Sequence, residues 1–63
     1  MMIKYALYIF SPENNKFCFY DTVLYQAKII ENEELRINLQ KLKVVKVEHD
    51  LDANVIDLYL EKI

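Results

Sequence analysis

The chain reads as an all-β domain: a small five-stranded meander that forms an open barrel or strongly twisted sheet, with one long bent strand. Three observations predict this. Apolar and polar residues alternate over most of the 63 positions, the period of a half-buried strand. Turn-type residues (Asn, Asp, Pro) gather in the gaps between those runs. The alternation also slips between Leu39 and Val45 with no turn signal, as it does at a β-bulge. Glycine is absent, so positive-φ positions fall to other residues. Asn14, Asn15, Asn32 and Asn54 lie in the gaps and are the expected substitutes.

Residues 2–10 form the first predicted strand. Ile3, Tyr5, Leu7 and Ile9 share one face and Lys4, Ala6, Tyr8 and Phe10 the other. The second face is nearly as apolar as the first, which predicts a central strand or one covered by a partner. Ser11-Pro12-Glu13-Asn14-Asn15 is a turn, and residues 16–20 return from it as the second arm of a hairpin. Asp21-Thr22 is a corner or a helix N-cap. The composition of 26–43 suits a helix, so the alternative is ββαββ with a helix over about 22–42. Periodicity favours strands, because the apolar residues from Val23 to Leu42 scatter around a helical wheel. Tyr25, Ala27 and Ile29 then form one strand face, and Glu31-Asn32-Glu33-Glu34 a hairpin loop. Residues 35–48 form one long strand bent by a bulge. His49 to Asn54 is the last loop, and 55–62 the last strand, with Ile56, Leu58 and Leu60 on its apolar face.

At 63 residues the chain is one domain, 1–63, with a small interior. Its stability is expected on the order of 3–9 kcal/mol. One cysteine allows no internal disulfide, and no Cys/His set suits a structural zinc. Association is the remaining way to stabilise so small a domain, so a homo-oligomer is expected. The lone cysteine and the absence of a cleavable leader pattern point to the cytoplasm, and no apolar run is long enough to span a membrane. Phe, Tyr, Met, Ile, Asn and Lys, with AT-rich codons, far outnumber Gly, Ala, Arg and Pro. That bias suggests an AT-rich genome such as a phage or mobile element, hence the host cytoplasm if the protein is viral.

Few groups could perform catalysis. Cys18 and His49 are the only thiol and imidazole, and Cys18 sits between Phe17 and Phe19 without an activating setting. Glu48, His49, Asp50 and Asp52 share a loop, but aspartates there more often bond their own backbone. Phosphate cradles need glycine. No enzyme activity, metal or cofactor is expected. Five tyrosines carry more information: Tyr8, Tyr20 and Tyr59 lie opposite the main apolar face, and tyrosine is enriched at interfaces. Tyr8, Phe10, Tyr20 and Tyr59 are therefore the expected protein interface, with a free edge strand as a further docking element. The leading expectation is a small binding protein that docks on another protein, a host enzyme inhibitor being one form. Arg36, Lys41, Lys43 and Lys46 lie along the proposed bent strand and could contact nucleic acid instead. A third possibility is a small-molecule or nucleotide pocket between subunits.

Overall fold

The computed structural model describes residues 1–63 and contains five strands and no helix. These are β1 (Ile3–Ser11), β2 (Lys16–Tyr25), β3 (Glu34–Ile37), β4 (Gln40–Asp50) and β5 (Val55–Lys62). They form one mixed sheet in the order β2-β1-β5-β4-β3. The sheet curls into an open half-barrel, so the all-β architecture expected from the alternation is present and the ββαββ alternative is excluded.

The strand count agrees for a reason the sequence did not contain: two departures offset each other. The strand expected at Tyr25, Ala27 and Ile29 is a loop running from residue 26 to 33. The strand expected over 35–48 is a hairpin, because Asn38 and Leu39 form a two-residue turn between Ile37 and Gln40. Both turn residues have positive φ, 51° and 66°, the pattern of a type I′ hairpin turn. The second position of such a turn normally holds glycine; here it holds a leucine that is 92% exposed.

Connectivity also departs from a simple meander. β2 does not pair with β3; instead β1 lies parallel to β5, from Tyr5 opposite Ile56 to Ile9 opposite Leu60. The hairpin β1–β2 and the meander β3–β4–β5 thus join through the two terminal strands, and β2 and β3 are the free edges.

Two bulges supply the curl. In β4 the register passes from Val44 opposite Leu60 to Lys46 opposite Tyr59, leaving Val45 as the extra residue. This is the slip expected at Val44-Val45, and β4 is the bent strand. In β2 it passes from Phe19 opposite Tyr8 to Asp21 opposite Leu7, leaving Tyr20 as the extra residue. An extra residue kinks its strand and increases local twist. Asn15, Asn32 and Asn54 take positive φ as expected, joined by Asn38; Asn14 does not.

The inner face carries the core. Tyr5, Leu7, Ile29, Leu42, Val44, Leu58 and Leu60 are buried, flanked by Ile3, Ile9, Leu35, Ile37, Val47 and Ile56. Ile29 enters from the 26–33 loop. The Tyr5 hydroxyl holds that loop, accepting from the Ile29 backbone N–H and donating to the Ala27 carbonyl, both at 3.0 Å. The next residues run along β4: Asn32 N–H donates to the Val44 carbonyl at 2.8 Å, and Val44 N–H donates to the Glu33 carbonyl at 2.9 Å. The loop therefore closes one end of the half-barrel with satisfied backbone groups.

Candidate functional site

Strand parity sends every second residue to the outer face of the sheet, where no second layer covers it. The register sets those residues in rows that cross four strands. One row runs Phe19, Tyr8, Tyr59, Lys46. The row beside it runs Thr22, Ala6, Asp57, Glu48. Phe10 and Phe17 pair on the other side of the aromatic row.

These rings form one cluster. Tyr8 stacks on Tyr59 with centroids 5.2 Å apart and planes 18° from parallel. Phe19 meets Tyr8 edge-on at 5.6 Å, and Phe17 meets both Phe10, at 5.3 Å, and Tyr59, at 5.2 Å. Such offset and edge-on pairs add about 0.5–1.5 kcal/mol each beyond their buried area. Lys46 places its ammonium 5.4 Å from the centre of the Tyr59 ring. Phe19 remains 59% exposed despite its neighbours, so the cluster opens to solvent at the β2 edge.

Three of the four residues expected at a protein interface, Tyr8, Phe10 and Tyr59, are thus brought together. Tyr20 is not among them. As the extra residue of the β2 bulge it leaves the outer face and receives a hydrogen bond from the side-chain amide of Asn38. That bond spans the open seam between β2 and β3. The groove along this seam has a volume of about 520 Å³, and Leu7, Val23, Ile29, Leu35 and Ile37 line it. Sequence parity missed Phe17 and Phe19. A usable signal was the mirrored aromatic-x-aromatic pattern of Tyr8-Ile9-Phe10 and Phe17-Cys18-Phe19 about the hairpin loop.

The four basic residues are on or beside this outer face, but not as a patch of one sign. Lys46 pairs with Glu48 at 3.3 Å and Lys41 with Glu34 at 3.6 Å, both exposed. Lys43 lies between Glu34 on β3 and Glu61 on β5. Arg36 is opposite Lys41.

Asp57 differs from the other carboxylates. It is 7% exposed, covered by its immediate neighbours, and makes no side-chain hydrogen bond or ion pair. Glu48 lies directly opposite it. Desolvation, then the charges of Asp50 and Glu48, hold its carboxyl above the ordinary aspartate range. Tyr59 is also shifted upward, by desolvation first and then by Glu48 and Asp57, with Lys46 acting against them.

Cys18 and His49 do not meet: Cys18 lies beside Ile9, and His49 beside Ile56 near the other end of β1. The Asp50 carboxylate accepts from the backbone N–H groups of Asp52, at 3.1 Å, and Ala53, at 3.0 Å, so this loop aspartate builds a turn. No group of three or more His, Cys, Asp or Glu side chains is placed to hold a metal ion. No helix is long and apolar enough to cross a membrane. No family model matches the chain, and no curated protein or solved structure matches it either.

Proposed function

We propose that the protein is a non-enzymatic docking protein that engages another protein through the outer aromatic face of its sheet. The contact residues are Tyr8, Phe10 and Tyr59, extended by Phe17 and Phe19. The observation that carries this is the five-ring cluster on the uncovered side of a single-layer sheet. Aromatic anchors of this kind dominate binding energy at interfaces, and a contiguous apolar patch on a small domain marks a recognition surface. Self-association through the same face is part of the proposal, since so small an interior benefits from further burial. Codon-biased composition supports a phage or mobile-element origin, and so a host protein as target.

The test is a Tyr8→Ala, Phe19→Ala double variant, compared with the wild type for mass in solution and for partner capture from host extract. The proposal expects both to change while the far-ultraviolet spectrum stays that of a folded sheet. A folded double variant with unchanged mass and unchanged capture overturns it.

Nucleic-acid binding is supported by one observation, a lysine held over a tyrosine beside further rings, as in single-strand stacking surfaces. Against it, Lys41, Lys43 and Lys46 each face a carboxylate, which leaves little charge for phosphate. Tight binding to single-stranded DNA that falls steeply with salt would favour this second reading.

A further inference from the structure

Asp57 and Glu48 stand at directly opposed positions of β4 and β5, both on the outer face. Like charges so placed repel. The sheet provides one cation for the two: Lys46, whose ammonium sits 3.3 Å from Glu48 and over the Tyr59 ring. Asp57 has none, although it is the better shielded from water. Across the sheet from it, Ala6 and Thr22 continue the same row with short side chains. The row lies beside the stacked rings of Tyr8 and Tyr59 and holds an unpaired carboxylate.

Resting on the docking role of this face, we infer that the Asp57–Glu48 pair receives an arginine side chain of the partner protein. A guanidinium is planar, permanently charged and able to bridge two carboxylates, and it stacks on aromatic faces. Asp57 and Glu48 supply the carboxylates, and Tyr59 with Tyr8 the ring surface. Lys46 already shows half of this arrangement, a cation held between Glu48 and Tyr59. The incoming arginine supplies the other half, at Asp57. Asp50 on β4 adds to the negative field at Asp57. A partner whose docking surface places arginine beside apolar side chains would match both rows of the face.

The probe is a blocked Gly-Arg-Gly tripeptide, titrated into labelled protein and followed by NMR. Gly-Lys-Gly and sodium chloride at equal ionic strength serve as comparisons. Saturable shifts at Asp57, Glu48 and Tyr59, in the millimolar range of one buried ion pair, are expected with the arginine peptide. Asp57→Asn should weaken binding about tenfold or more, and Glu48→Gln should weaken it less. Glu13→Gln, in the β1–β2 turn toward the other end of β1, should leave it unchanged. Shifts that sodium chloride reproduces, or equal affinity in a folded Asp57→Asn variant, overturn the inference. If the peptide fails while the Tyr8→Ala, Phe19→Ala variant still loses its partner, the arginine site alone is wrong and the aromatic docking face stands.

Discussion

The hydroxyl of Tyr5 and the backbone of Ile29 are 24 residues apart in sequence and joined by a 3.0 Å hydrogen bond inside the core. The same hydroxyl donates to the Ala27 carbonyl, so one phenol fixes the path of the loop between β2 and β3. Tyr5→Phe keeps the ring and removes both bonds, leaving a buried N–H without a partner. A loss of about 1–3 kcal/mol is expected, a large share of the total for a domain of this size. Urea unfolding of the two proteins checks it. Because Ile29 is held in place by this bond, amide exchange across 26–33 should quicken more than in β1 or β5.

Leu39 is the one non-asparagine residue with positive φ. Its side chain touches little at 92% exposure, so packing does not compensate for the backbone cost. Leu39→Gly completes the Asn-Gly sequence that a type I′ turn favours and is expected to stabilise the protein by about 1 kcal/mol. A lower midpoint in urea would mean that the turn conformation is not what limits this hairpin.

Asp57 predicts an unusual pH dependence. Its carboxyl titrates above the unfolded value because burial and the Asp50 and Glu48 charges disfavour its ionised form. The folded protein therefore binds this proton more tightly than the unfolded chain does. The contribution to stability is full below the unfolded value and is lost as pH rises through the folded one. Asp57→Asn should raise stability at neutral pH and remove that part of the acid-range slope. Urea midpoints for both proteins from pH 3 to 7 measure this, and parallel curves would count against it.

Tyr20 separates the two faces experimentally. Tyr20→Phe breaks the Asn38 bond across the seam and leaves the outer rings untouched. Partner capture and solution mass should match the wild type, whereas proteolysis at the β2 and β3 edges should accelerate. Loss of capture comparable to that of the Tyr8→Ala, Phe19→Ala variant would relocate the docking site to the seam.

Much of this arrangement could be read from the residues, and the misreadings have physical causes. β1 and β5 alternate cleanly, so their inner rows (Ile3, Tyr5, Leu7, Ile9 and Ile56, Leu58, Leu60) followed from parity. The bulge at Val44-Val45 was legible because it breaks that parity visibly. The bulge at Tyr20 was not, because an aromatic residue precedes it and the polar corner Asp21-Thr22 masks the slip. That hidden slip is why sequence parity puts Tyr20 on the outer face and leaves out Phe17 and Phe19. The Asn38-Leu39 turn escaped notice because a leucine fills the place of the glycine that would announce it. Tyr25, Ala27 and Ile29 do alternate, yet beyond Tyr25 the chain is held by a tyrosine hydroxyl rather than by a strand ladder. Sequence periodicity cannot register an anchor of that kind.

The parallel pairing of β1 with β5 has a consequence for how the molecule is made. The first and last strands occupy the interior of the sheet, not its edges. During synthesis the β1–β2 hairpin can form early, but the apolar row of β1 stays uncovered until β5 has left the ribosome. Contacts between such distant segments are slow to form. Until β5 is available, β1 has only β2 as a sheet neighbour, and that interval is when a chaperone or a second copy has access to the future core.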